Sequence, residues 1–238
     1  MATVQDAEAA LRTRLARDLL RKSLFSFTWR CFEELHKGSS TPFVPNWHVK
    51  AMCYALERVA TGECKRLLIT VPPRHLKSIC AAVAFPSWML GLSPTTKIIV
   101  ASYGSDLASR HSRDSRTILE CEFYRRLFPN TKIETAREHE IELTQRGFRK
   151  TASVNGAVTG LGADILIVDD LMKAADAHSP VERQRAKDFY DQSLSTRLND
   201  KSSGRIIAIQ QRLHEDDIAA HLIEKGTFAH LDLCHCGE

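Results

Sequence analysis

The stretch Leu67-Leu68-Ile69-Thr70-Val71-Pro72-Pro73-Arg74-His75-Leu76-Lys77-Ser78 decides the fold. Its first five residues are apolar or β-branched and read as a buried strand; two prolines then stop the strand. A short basic loop delivers Lys77 and Ser78 to the start of a helix expected over residues 77–90. Strand, tight loop, Lys-Ser and helix form the layout of a phosphate-binding loop. In that layout loop amides and the helix N-terminus meet the phosphates, the lysine reaches β and γ oxygens, and the hydroxyl ligates magnesium. The usual pattern carries glycine where this chain has Val71 and Leu76. Taken alone, Lys-Ser after a strand fits an ordinary helix start equally well.

The next informative segment is Ile165-Leu166-Ile167-Val168-Asp169-Asp170, an apolar strand ending in two carboxylates. This is the Walker B arrangement: Asp169 serves magnesium through water, and Asp170 at the strand tip orients and deprotonates the attacking water. Strand-end acids also act as helix caps, but both segments in one chain, in this order, make a P-loop ATPase the better reading. A third strand-end group, Gln210-Gln211-Arg212 after Ile206-Ile207-Ala208-Ile209, stands where a polar residue can sense the γ-phosphate; in isolation it reads as a turn.

Around these segments, apolar runs alternate with helical stretches. Strands are expected at 67–71, 97–102, 165–168 and 205–209, and helices at 6–36, 47–59, 77–90, 105–127 and 181–197. Residues 140–144 and 147–153 suggest a hairpin or extra strands. Near-continuous apolar strands separated by helices are what a parallel sheet covered on both faces requires. The fold class is α/β, three-layered, with a mainly parallel sheet and an N-terminal helical segment. In that segment Leu11, Leu15, Leu19, Leu20, Leu24 and Phe27 recur at helical spacing among Arg12, Arg14, Arg17, Arg21 and Lys22. Breakers at 37–46 mark a linker, so the expected division is residues 1–40 for the helical segment and 41–238 for the ATPase domain.

Composition narrows the function. At 238 residues, 43% hydrophobic and 26% charged, the chain has ordinary globular content, which argues against disorder. Its net charge of +4 permits contact with nucleic acid without arguing for it. No apolar run approaches the ~18 residues of a membrane span, and the N-terminus lacks a signal-peptide layout, so a cytoplasmic protein is expected. Seven cysteines in apolar or helical stretches read as reduced core thiols. The terminal Cys234-His235-Cys236, with His230 nearby, is weighed as a zinc site but lacks the CxxC knuckle spacing.

Together these residues resemble the large terminase subunits of tailed bacteriophages and prophages. The resemblance rests on residues 66–78, the segments 98–108, 157–164, 193–198 and 210–217, and the Asp169-Asp170 strand, covering roughly residues 43–233. It implies a P-loop fold of the additional-strand, catalytic-glutamate type and an ATP-driven ring that pumps double-stranded DNA into a procapsid in the host cytoplasm. Its partners would be the terminase small subunit and the portal. Carried over, Pro72, Pro73, Arg74, His75, Leu76, Lys77 and Ser78 bind nucleotide, with Ser78 and Asp169 serving Mg2+. Asp170 takes the catalytic carboxylate's place, Gln211 the coupling position with Arg212 beside it, and Arg74 a charge-stabilising role. The chain departs from the family at Leu76, commonly glycine, and at Asp170, one methylene shorter than the usual glutamate. The family's RNase H-like nuclease half has no counterpart here, so no nuclease activity is expected. The alternative reading is a catalytically weak, truncated prophage remnant or assembly module that binds nucleotide without turnover.

Several residues carry two readings. Trp47 and His48, about thirty residues before Lys77, stand where an adenine contact is expected and equally suit helix-start packing on the core. Arg197 and Arg212 are each candidate arginine fingers, within a subunit or across a boundary, or else ordinary solvated or salt-bridged groups. Residues 134–142 read as an exposed hairpin. His214-Glu215-Asp216-Asp217 reads as a cap on the next helix rather than a metal site.

Overall fold

The computed structural model describes the backbone at residues 4–154 and 162–233, with side chains from Leu11 onward. Eight strands form one sheet: β1 Arg66–Thr70, β2 Lys97–Ser102, β3 Ile133–Arg137, β4 Glu140–Leu143, β5 Phe148–Ser153, β6 Ile165–Asp169, β7 Arg205–Gln210 and β8 Ala229–Asp232. Their order is β3-β4-β5-β2-β6-β7-β1-β8. From β5 to β8 every pairing is parallel, and β3 and β4 add an antiparallel edge. The expected extra strands between β2 and β6 are therefore a β3–β4 hairpin plus β5, which joins β2 in parallel.

Side chains of a strand alternate between its two faces, and both faces here are covered. Ile69, Ile98, Val100, Ile165, Ile167, Ile207 and Ile209 enter one core, while Leu68, Ile99, Ala101, Leu166, Val168, Ile206 and Ala208 enter the other. Burial on both sides is why these strands read as continuous apolar runs. The three-layer α/β expectation holds.

The helices differ from the sequence reading in extent. The single N-terminal helix is two: α1 Val4–Lys22 and α2 Leu24–Leu35, separated at Ser23, whose extended backbone and side chain cap α2 by accepting from Ser26 N at 3.2 Å. The break rotates the apolar stripe. Leu24, Phe27 and Cys31 of α2 are buried in the core that holds Ile69, whereas Leu11, Leu15 and Leu19 of α1 remain 55–59% exposed. The division at residue 40 thus does not coincide with a break in packing, because α2 belongs to the helical layer over the sheet.

Helix α3 spans Trp47–Ala60. After the loop, Lys77 and Ser78 lead into a π-helical turn, Ile79–Ala84, then α4, Phe85–Leu92. Pro86 has no N–H for the Ala82 carbonyl four residues back, which accounts for the widened turn. The expected helix over 105–127 breaks at Cys121 into α5 Ser105–Glu120 and α6 Glu122–Leu127. That over 181–197 is α7 Pro180–Asp188, a π turn Phe189–Leu194 and a 3-10 turn Ser195–Arg197. Helix α8, Ile218–Glu224, starts at Asp217, whose Oδ1 accepts from Ala220 N at 2.9 Å, the capping role expected of that residue. Among the described residues no helix is long and apolar enough to cross a membrane.

Candidate functional site

The carboxyl ends of three adjacent parallel strands, β6, β7 and β1, build the site. Register aligns Thr70 with Gln210 and Asp169 with Ile209, so the loops leaving these strands emerge at one edge of the sheet. In open α/β sheets this edge is where ligands bind. The loop after β1 returns Lys77 under it, and Lys77 Nζ lies 2.6 Å from Asp170 Oδ2. Asp170 is held from both sides: its N donates to Ile209 O at 3.1 Å, and its O accepts from Tyr103 N at 2.9 Å. Its Oδ1 accepts from Gln211 N at 2.9 Å. The two segments that the sequence reading joined only by analogy therefore meet in space.

The backbone is strained at this edge. Among the described residues four non-glycines have positive φ, and three of them are Arg74 (65°), Leu76 (61°) and Asp170 (44°). A side chain in the left-handed region costs on the order of 1–3 kcal/mol and persists only where the surroundings impose it. Leu76 occupies the glycine position of the usual loop and adopts the conformation for which glycine is normally chosen. Its side chain is half-buried against the core, which offsets part of that cost.

Asp169 is fully buried, and neither carboxylate oxygen has a hydrogen-bond partner in the protein. Burial, and then the charge of Asp170, push its carboxyl up to about 7, while Ser78, Lys77 and Arg149 favour the ionised form. His111 Nδ1 lies 3.5 Å from Asp169 Oδ2. Burial, with help from Arg149 and Arg110, lowers the imidazole to about 3, so His111 is neutral and the contact is not an ion pair.

An orphaned buried carboxylate beside a serine hydroxyl suits a magnesium ion. Mg2+ takes few protein ligands and completes its shell with water and phosphate oxygens. No group of three acidic, histidine or cysteine ligands occurs among the described residues.

The remaining candidates occupy the loop and its surroundings, with one exception. Pro72 and Pro73 open the loop, Arg74 is exposed at its tip, and His75 Nδ1 bonds Pro73 O at 2.8 Å. His48, on α3, lies with its ring 5.0 Å from that of His75, and Trp47 beside it is 53% exposed rather than packed in the core. Gln211 reaches Asp170 through its backbone. Arg212 Nε is tied to Asp217 Oδ2 at 3.1 Å. The exception is Arg197, which is not brought to the site: its neighbour Leu198 bridges Ala163, before β6 begins, at the opposite edge of the sheet from Lys77. Five strand residues, roughly 17 Å, separate the two edges. Within one subunit Arg197 therefore stands apart from Lys77 and Asp170.

The terminal Cys234-His235-Cys236, weighed as a zinc site, and most of the stretch 157–164 lie outside the described residues. His230 bonds Thr70 Oγ1 at 2.8 Å through Nε2.

Sequence reading quoted Gln210 only within a strand-end group, and it gave no role to Tyr103, His111 or Arg149. Gln210 is buried and clamps β7 to β6, donating from Nε2 to Val168 O at 2.9 Å and accepting from Leu171 N at 3.3 Å. Tyr103 anchors Asp170; His111 and Arg149 stand behind Asp169. A polar residue at a strand end was the available signal for Gln210. His111, in the polar run Arg110-His111-Ser112-Arg113, offered none.

These features define a three-layer α/β protein with a lysine, two aspartates and a strained loop gathered at the carboxyl edge of a parallel sheet. The chain matches no protein-family model and no curated protein. Among solved structures, it is similar to the large terminase of bacteriophage HK97, at 14% identity over 86% of this chain and 41% of that one, with a TM-score of 0.57. The large terminase ATPase domain of Thermus phage P74-26 gives a TM-score of 0.49 at 15% identity, over 75% of this chain and 67% of that one. The large terminase of thermophilic bacteriophage D6E in complex with ATP-γ-S gives 0.49 at 11% identity, over 75% and 43%. The likeness to the HK97 protein establishes the shared fold, and this chain spans 41% of that terminase's length.

Proposed function

We propose that the chain is a P-loop ATPase, the motor half of a phage terminase large subunit, using ATP hydrolysis to move double-stranded DNA into a procapsid. The observation that carries this reading is the convergence of Lys77, Asp170 and a partnerless Asp169 at the carboxyl edge of a sheet shared with the HK97 large terminase.

The chemistry is set by these positions. Lys77 exchanges Asp170 for the β and γ oxygens of the nucleotide, and the loop amides take the remaining phosphate charge. Released from Lys77, Asp170 accepts the proton of a water aligned behind the γ-phosphoryl group. Ser78 and Asp169 would hold magnesium, Asp169 through water, and the bound ion supplies charge that neutralises the phosphate oxygens. Arg74 at the loop tip stabilises the transferring group, while Arg197 is left with a role across a subunit boundary in a ring. Gln211 and Arg212 carry the change at Asp170 into the loop after β7. Trp47 and His48 flank the adenine. DNA is gripped by its backbone phosphates, and binding therefore weakens with salt. The small subunit and portal complete the assembly in the host cytoplasm.

Two observations favour a second reading, an assembly module that binds nucleotide without turnover: Leu76 is strained, and Lys77 is neutralised by Asp170. Magnesium-dependent phosphate release from ATP, with and without double-stranded DNA, separates the two. Release that is lost in Lys77→Ala and Asp170→Asn is the expected result. A nucleotide-dependent rise in melting temperature with no release would favour the module, and no nucleotide binding would sink both.

A further inference from the structure

Behind Asp169, the sheet and α5 enclose a polar set that the hydrolysis reading does not use. Arg149, on β5, is fully buried; its Nη2 donates to Ala82 O at 3.1 Å, and its Nε and Nη1 have no partner in the protein. Pro86, four residues on, brings no N–H to that carbonyl. Ala82 belongs to the π turn just after Lys77 and Ser78, so Arg149 is fastened to the helix carrying the phosphate loop. Ser102 ends β2 in register with Asp169. From α5, His111 brings Nδ1 to 3.5 Å from Asp169 Oδ2, and Ser115, one turn further along the helix, is also buried. The hydroxyls of Ser102 and Ser115, His111 Nδ1 and both Asp169 oxygens all lack protein hydrogen-bond partners.

Buried polar groups without partners are rare, a few per hundred residues. Here several surround Asp169, and acceptors and donors occur together: a carboxylate facing a guanidinium and an imidazole. A set of this kind is satisfied by ordered water or by small closing movements around a loaded site. The charged groups facing His111 are Asp169 from β6, Arg149 from β5 and Arg110 on its own helix. Asp114, on α5, faces Arg149.

We propose that His111 is a positioning residue for Asp169, its Nδ1–H directed at the carboxylate and Arg149 standing behind as a fixed buried cation that ties the pair to the phosphate-loop helix. A carboxylate that holds a metal must be both ionised and aimed, and outer partners of this type supply the aim. The inference rests on the phosphate-loop reading of Lys77 and Asp169.

The test measures the magnesium concentration that half-saturates binding of a fluorescent ADP analogue, and separately the affinity in EDTA. The variants are His111→Leu, which keeps bulk, His111→Asn, which restores a donor at the Nδ1 position, and His111→Gln, which displaces it. The positioning role requires His111→Leu to raise the half-saturating magnesium about 10-fold or more, with the EDTA affinity unchanged and Asn returning close to the parent. Should the leucine variant not fold, His111→Gln carries the same expectation. An unshifted magnesium requirement, or equal losses with magnesium and with EDTA, would overturn it. A parent that binds no nucleotide at any magnesium level would sink the phosphate-loop reading and the positioning role with it; magnesium-dependent parent binding with an unshifted variant would remove only the latter.

Discussion

Lys77 Nζ and Asp170 Oδ2 stand 2.6 Å apart, so the residue that would bind phosphate and the one that would activate water neutralise each other. Nucleotide binding must then displace a carboxylate already paired with the lysine. Asp170→Asn removes that competitor and the proposed general base together. It is expected to tighten nucleotide binding severalfold while lowering phosphate release by about 10²–10⁴-fold. Equilibrium binding and steady-state turnover on the same preparation check both halves, and weaker binding in the variant would contradict the competition.

Leu76, at φ 61°, sets backbone strain against packing. Leu76→Gly relieves a left-handed side chain but loosens the unfolded chain and gives up apolar contact, so stability should change by no more than about 1 kcal/mol. Leu76→Val keeps an apolar side chain yet places a β-branched residue where φ is positive, a worse strain. Thermal denaturation should rank valine clearly below glycine. The reverse order would mean that packing, not backbone conformation, governs this position.

Asp169 makes the pH dependence of stability informative. Its carboxyl is raised in the folded chain from the ordinary 3.8 to about 7. Between those values the folded state holds a proton that the unfolded state has released, so the contribution is full below about pH 4 and lost as pH rises toward 7. His111, lowered to about 3, adds a slope of opposite sign below its ordinary 6.5. Comparison with Asp169→Asn isolates the carboxylate. Relative to the parent, the variant should gain stability steadily from about pH 4 to 7, with a ceiling near ~4 kcal/mol, and the difference should level off above. Urea denaturation across that range reads the slope, and a flat difference would show the carboxylate to be unshifted.

Trp47 is exposed beside His48, whose ring neighbours His75 in the loop. If adenine stacks there, Trp47→Ala should weaken ATP binding about 5-fold or more, since base stacking contributes roughly 1–3 kcal/mol. Pyrophosphate, which has no base, should bind both proteins alike. Calorimetry with the two ligands distinguishes lost stacking from a disturbed loop, which would weaken both.

The strand–loop–Lys77-Ser78 segment and the Asp169-Asp170 strand end were legible because their signals are local. A buried parallel strand is apolar nearly throughout, and the residues just beyond its carboxyl end are displayed at one edge of the sheet. The same logic placed β2 and β7. It failed where a local signal was interrupted: Ser23 caps a new helix inside an unbroken leucine periodicity, and Cys121 splits another. Arg149 reads in sequence as one more basic residue of a hairpin or extra strand, yet it is completely buried.

By itself the sequence determined the layer class, the strand-end chemistry and the candidate lysine, serine and aspartates, since these depend on composition and spacing within a few residues. Only the tertiary structure decided that Lys77 faces Asp170, that Leu76 is left-handed, that Arg197 sits at the far edge, and that His111 and Arg149 back Asp169. Those relations join residues between about 20 and about 120 positions apart through strand register and helix rotation, or, for Leu76, depend on a backbone angle imposed by the closed loop. No pattern along the chain encodes a distance of that kind.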